Sequence, residues 1–331
     1  MNTFRRIVLA SRPQGKLKQE NLRLEQAVLP SLNEGDVAVR NHYLSIDPYM
    51  RTRMDDGPSY APPQALDAVM IGATAGEVTA SRHPDFQPGD KVVGMLGWCE
   101  QGIAAGKSLR KVDNSRIPLQ TYLGAAGMPG ITAWYGVTQI LQPKAGETVL
   151  VSAATGAVGS IAAQLAKQNG CRVIGIAGGP EKCAHAVEVL GLDACIDYRQ
   201  PDLRRALPQA APNGVDAVFE NVGGDCLDAA IAHARPNARI ALCGTIAGYE
   251  GQPLAINEVR NLVSMRIRLQ GFLITDHLDL WPRAINELVH MIATGKLRYS
   301  ESVAQGLDAA PQALIDVLYG HKLGKQLVKL I

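Results

Sequence analysis

The sequence predicts an α/β protein of two domains, a compact β-rich barrel-like domain and a larger doubly wound parallel sheet. Three observations carry that prediction. The chain has 331 residues, long for a single core. Turn-bounded short strands fill its first third, whereas apolar strands alternate with helical stretches from about residue 123 onward. Between them, residues 149–160, VLVSAATGAVGS, run from apolar strand through a small-residue turn into the start of a helix. The first domain is assigned to residues 1–122 with 305–331, and the second to residues 123–304.

In the first domain, Asn33-Glu34-Gly35-Asp36 precedes the strand at Val37, and Gln87-Pro88-Gly89-Asp90 precedes the strand at Val92. Lys144-Ala145-Gly146-Glu147 repeats that turn chemistry before Val149, at irregular separation, so it marks turns and not a solenoid. The second domain carries predicted strands at 149–153, 172–177, 194–197, 215–219, 238–243 and 269–274. Helices are expected over 158–169, 181–191, roughly 201–210, 225–234 and 282–295. The closing alternation after Gly324 reads as a strand that returns to the first domain.

Composition narrows the function class. Lys and Arg number 33 against 31 Asp and Glu, a net charge of +2, with no basic stripe of the kind nucleic acid requires. No apolar run reaches the ~18 residues of a membrane span, and the start has no signal-peptide pattern. Six cysteines without a CxxC pair fit reduced thiols in a cytoplasmic protein.

The turn at 153–159 is where function enters. A strand, tight turn and helix N-terminus in that order let backbone N–H groups approach a pyrophosphate. Gly156 stands where backbone comes close to phosphate and Gly159 where helix packs on strand, with Ala157 and Val158 between them. Ala154 replaces the first glycine of the usual fingerprint, so the pattern alone is also that of an ordinary strand-to-helix turn. An acidic residue about 20 positions past the glycines would mark NAD, but the second strand ends in Ala177-Gly178-Gly179. Lys182 follows, a cation suited to a 2′-phosphate, so NADP(H) is the expected cofactor. The alternatives are a solvated Lys182 and a Glu181 that contacts ribose.

No metal is expected. Residues 71–77 read IGATAGE where a zinc dehydrogenase would carry Gly-His-Glu, and the seven histidines are scattered without ligand spacing. Cys171, Cys183 and Cys195 recur at intervals of twelve but fall on strand, helix and strand, which suits buried thiols.

Several motifs coincide beyond this. Tyr43-Leu44-Ser45-Ile46-Asp47-Pro48-Tyr49-Met50-Arg51, Gly127-Met128-Pro129-Gly130, Ala153 to Ser160 and Glu220-Asn221-Val222-Gly223-Gly224 fit one pattern in order along the chain. The chain resembles the zinc-independent medium-chain dehydrogenases/reductases. Its nearest likeness is the branch of leukotriene B4 12-hydroxydehydrogenase/prostaglandin reductase, plant double-bond reductases and bacterial NADPH-dependent curcumin reductases. Pro58-Ser59-Tyr60-Ala61-Pro62-Pro63 leans toward the last of these. The resemblance implies a GroES-like first domain, a Rossmann second domain, and NADPH-dependent reduction of the carbon–carbon double bond of α,β-unsaturated ketones and aldehydes. Cofactor positions carried over are Gly156 to Gly159, Lys182, Tyr198, Asn221, the stretch from Cys243 through Gly244 and Thr245, and Phe272. In the tail, Lys322 stands where relatives carry Asn, which puts a charge at that contact. The resemblance further implies a homodimer through the edge strand at 269–274.

Such a reduction develops negative charge on the carbonyl oxygen, and a neutral donor aimed there stabilises it. A tyrosine with its ordinary pKa of about 10 is such a donor. Family position makes Tyr49, Tyr60 and Tyr249 the candidates for this catalytic role; the alternative for each is a packing residue with a satisfied hydroxyl. Arg51 and Arg53 are expected to pair locally or face solvent. Two other functions stay open: quinone reduction on the same scaffold, and a non-catalytic NADPH-binding redox sensor.

Overall fold

The computed structural model describes residues 3–57, 59–200 and 202–331; Pro58, part of the segment that leans toward curcumin reductases, lies outside them. Two compact units are present, residues 1–124 with 301–331 and residues 125–300. The sequence-based boundaries stood at 122 and 305; strand Glu301–Gln305 falls in the first unit because it pairs in parallel with Lys325–Lys329.

The first unit is built on strand Asp36–Ser45. One half of it pairs with Gln101–Ala105, the other with Lys325–Lys329, and Thr74–Ser81 runs along the length. The chain's last strand is thus stitched antiparallel to Asp36–Ser45, with Leu327 opposite Ser45. Ile7, Leu44, Met50, Met54, Met70, Trp98 and Val328 are fully buried and form one core, each such side chain contributing ~1.5–3 kcal/mol.

All three repeated turns close in one way. Asn33, Gln87 and Lys144 each accept the amide three residues on, at 3.0–3.1 Å, and the acid there accepts back the first residue's amide at 2.9 Å. The glycine in each has a positive φ, +82° at Gly35, +95° at Gly89 and +84° at Gly146, which an L side chain resists.

The second unit holds six strands, all parallel, in the order Ala194–Asp197, Arg172–Ala177, Thr148–Val151, Val215–Glu220, Ala234–Leu242, Arg268–Gly271. Numbered along the chain that order is 3-2-1-4-5-6, the doubly wound arrangement that opens a ligand crevice where the order reverses. Its helices include Gly159–Gln168, Pro180–Glu188, Leu203–Ala210, Gly224–Ala232 and Trp281–Ala293. The sheet is apolar on both faces, with Leu150, Ile174, Val218 and Ile240 unexposed on one and Val173, Ala217, Phe219 and Ala241 unexposed on the other. Two boundaries moved for local reasons. The first strand stops at Val151 because Ala153 takes a left-handed φ of +47°. The sixth stops at Gly271 because Ile274 opens a 3-10 turn.

Candidate cofactor and active site

At the reversal point the first strand delivers Ser152 and Ala154 into the turn, held by Ser152 N donating to Phe219 O at 3.1 Å and Ala154 N to Ile176 O at 3.0 Å. Gly159 has to be glycine: a Cβ there would stand 2.3 Å from the Ala153 carbonyl oxygen. Gly156 is less tight, its Cβ position lying 3.2 Å from the same oxygen. The missing first glycine also finds its reason. Ala154 is accommodated because its neighbour across the strands is Gly175, where a Cβ would meet that of Ala154 at 2.9 Å. Gly156, Ala157, Val158 and Gly159 therefore form a turn whose small residues bring the helix Gly159–Gln168 hard onto the sheet. The amides of Ser160, Ile161 and Ala162 donate to Gly156 O and Val158 O at 3.0–3.1 Å, so it is the positive end of the helix dipole behind the turn that favours an anion.

One strand over, Ala177 ends the second strand where an acid would mark NAD, and its register partner on the third strand is Asp197. Gly178 accommodates the ring of Tyr198, since a Cβ would fall 2.8–3.0 Å from the ring's edge and hydroxyl. Lys182 is half-buried on the first turn of Pro180–Glu188, and burial, then Arg199, pull its pKa down. Glu181 is exposed. The acid at the end of the third strand, Asp197, is committed elsewhere: it accepts the amides of Gly179 at 2.7 Å and Arg199 at 3.0 Å. Sequence reasoning missed Arg199. The signal for it was a cation next to Tyr198, one strand away from Lys182.

On the other side of the turn, Asn221 donates its amide to Ser152 Oγ and its side chain to Ser152 O, both at 2.7 Å. Glu220, before it, is fully buried. Its Oε1 accepts the amides of Val222 and Gly223 at 2.7 and 2.8 Å, while its Oε2 has no hydrogen-bond partner. Burial raises the pKa of this carboxyl. Cys243 and Gly244 hang on the Glu220 carbonyl at 2.8 and 3.3 Å. Burial and the neighbouring Glu220 raise the Cys243 thiol to about 12, so it is no nucleophile at neutral pH. A Cβ on Gly244 would lie 3.2 Å from Asn221 O and 3.5 Å from the Tyr249 hydroxyl. Asn221, Gly244 and Tyr249 thus converge, with Thr245 against Gly223. Phe272 packs at 5.4 Å from Tyr135 and edge-on to Phe219.

In the first unit, Tyr49 opens the short helix Tyr49–Thr52, and its pKa is driven up by burial, by Asp47 and by Tyr60. Tyr60 is 55% exposed and bonds Thr52; burial of its hydroxyl end raises its pKa, and Arg53 opposes that in both tyrosines. Arg51 pairs with Asp55 at 2.6 Å as expected. Arg53 is half-buried, its Nε buried without a hydrogen-bond partner beside the two tyrosines. The loop beneath is locked by Lys325, 3% exposed, whose Nζ donates to Ile46 O at 2.6 Å and to Asp47 Oδ1 at 3.0 Å. Lys322 lies at the surface with its ammonium 3.2 Å from Asp316 Oδ2.

Glu77, the acid of the 71–77 segment, is bonded to Lys91, and among the described residues no group of three His, Cys, Asp or Glu could hold a metal. All six cysteines are free, and no helix among the described residues is long and apolar enough to cross a membrane.

Comparison with known proteins agrees along the whole chain. Residues 5–112 match the family model described as the N-terminal domain of oxidoreductase, and residues 157–293 match that described as zinc-binding dehydrogenase. The chain is 43% identical to NADPH-dependent curcumin reductase of Escherichia coli, over 98% of this chain and 96% of that protein. It is 40% identical to the NADP(+)-dependent 2-alkenal reductase of Nicotiana tabacum, over the same shares. The crystal structure of CurA from Vibrio vulnificus in complex with NADPH superposes with a TM-score of 0.94 at 42% identity, covering 99% of each chain. With its GroES-like first unit and its parallel Rossmann sheet, the chain belongs to the medium-chain dehydrogenase/reductase family, in the branch of the curcumin and 2-alkenal reductases.

Proposed function

We propose that this chain is an NADPH-dependent reductase of the carbon–carbon double bond in α,β-unsaturated ketones and aldehydes, working without a metal. The observation that carries the reading is the sheet end just described. It combines a glycine turn fit for a diphosphate with a cation, Lys182, at the adenosine side, where the second strand ends in Ala177 and Asp197 Oδ1 is taken by the Gly179 and Arg199 amides. Asn221, Gly244 and Tyr249 converge at the other side. Bound NADPH supplies a hydride to the β-carbon of the substrate. The turn from Gly156 to Gly159 holds the diphosphate, Lys182 and Tyr198 the adenosine 2′-phosphate end. Asn221, Cys243 to Thr245 and the backbone at Phe272 line the reacting end, and Lys322 contributes from the tail.

Tyr49, Tyr60 and Tyr249 are the proposed catalytic donors to the carbonyl oxygen. The raised pKa of Tyr49 and Tyr60 keeps both phenols protonated at neutral pH, which is the state a hydrogen-bond donor needs. The two functional parts of this reading are the units 1–124 with 301–331 and 125–300. A cytoplasmic location goes with it, supported by six free thiols. A homodimer is proposed through the sheet's end strand Arg268–Gly271, flanked by Val263 at 78% and Leu278 at 60% exposure.

Steady-state assays with 3-nonen-2-one beside a benzoquinone test the reaction. NADPH oxidation with the enone, giving the saturated ketone, is the expected result. Turnover with the quinone alone would make the chain a quinone reductase. NADPH binding without turnover on either would favour a redox sensor.

A further inference from the structure

The loops after the second and third strands of the parallel sheet are stitched together by one carboxylate. Asp197 Oδ1 accepts the Gly179 amide at 2.7 Å and the Arg199 amide at 3.0 Å, so the point where Arg199 leaves the sheet is fixed. Its guanidinium reaches back over the glycine pair: Nη1 lies 3.3 Å from where a Cβ on Gly179 would stand. Gly179 has a φ of +93° and no side chain to fill that space. The guanidinium is also close enough to Lys182 to disfavour that ammonium's charge, beyond what burial does. Two cations drawn together around a glycine turn repel one another, and an anion of more than one charge placed between them reverses the sign of the interaction. The ring of Tyr198 closes the third side over Gly178.

We propose that Arg199 is a specificity-determining residue for the cofactor, closing with Lys182 a two-cation clamp on the 2′-phosphate of NADP(H). This rests on the NADPH reading of the sheet end. The guanidinium fork supplies paired hydrogen bonds to phosphate oxygens, and the Lys182 ammonium a point charge. Asp197 acts as a positioning residue. It ties the Arg199 backbone to the glycine pair by accepting the Gly179 and Arg199 amides on one oxygen.

Calorimetric titration of the full chain with NADPH, NADH, 2′,5′-ADP and 5′-ADP at low salt tests the clamp. Arg199→Gln is expected to weaken NADPH and 2′,5′-ADP about tenfold, while NADH and 5′-ADP stay within about twofold. Arg199→Lys should recover most of the loss, and added salt should shrink the difference. Unchanged affinity for both 2′-phosphorylated ligands overturns the proposal. So does an equal loss for all four, which would mean a general effect on the loop. Lys182→Ala, run in parallel, separates this from the earlier reading. A silent Lys182→Ala with a selective Arg199→Gln removes Lys182 from the 2′-phosphate and leaves Arg199 there; the reverse pattern removes Arg199 alone.

Discussion

Tyr249 is the tyrosine whose hydroxyl sits by Gly244, 3.5 Å from that residue's Cβ position, in the stretch assigned to the cofactor's reacting end. Tyr249→Phe should therefore lower kcat by about tenfold or more with circular dichroism unchanged; unaltered turnover would take it out of the reaction. Tyr49 makes a prediction in pH. Burial and Asp47 hold its phenol protonated well beyond the ordinary range, so the Tyr49 donor adds no alkaline limb to the kcat profile below about pH 10. A limb that disappears in Tyr49→Phe would contradict that. Lys182→Ala should raise the KM for NADPH about tenfold and leave that for NADH nearly unchanged. Gly156, Gly159 and Lys182 were legible in the sequence because each sits at a fixed offset from a strand or helix end. Arg199 was not, because what makes it notable is its approach to Gly179 and Lys182 from the next strand; nor was the bare Nε of Arg53, because burial is set by tertiary packing.

Elements were readable wherever period and punctuation agreed. The second strand is found at its predicted bounds, 172–177, and the third at 194–197. What escaped were features made by contact between elements: Gly175 giving way to Ala154, and the parallel pairing that carries Glu301–Gln305 into the first unit. The turn-to-helix junction allows a sharp test. Gly159→Ala would force a methyl to 2.3 Å from a backbone oxygen, so it should cost about 2 kcal/mol of stability and abolish measurable NADPH binding. Retained affinity would mean that the helix can back away. Glu220 offers a second. Its pKa is raised by burial, so the folded state binds the proton more tightly than the unfolded one, whose carboxyl titrates near about 4.3. Stability from this group is then lost as pH rises from there through the raised folded value. Glu220→Gln keeps an acceptor for the Val222 and Gly223 amides and carries no charge. Its Tm advantage over the wild type should grow between pH 5 and pH 8; a constant difference would show that Glu220 does not titrate in that range.

On the scale of the whole molecule, the two-domain α/β class followed from length and from the change of pattern near residue 123. The strand order 3-2-1-4-5-6 needed the hydrogen-bonded neighbours themselves. The proposed dimer belongs here as well. Val263→Asp should halve the mass seen in sedimentation, since it puts a charge beside the strand proposed to pair with its copy; a monomeric wild type would remove that proposal and leave the chemistry standing. The central claim concerns where hydrogen goes. NADPH deuterated at the transferred position of C4, reacted with 3-nonen-2-one and followed by NMR, should give a saturated ketone with deuterium on the β-carbon and the carbonyl intact. Deuterium on the carbonyl carbon of an allylic alcohol would contradict the account, as would a failure to consume the enone.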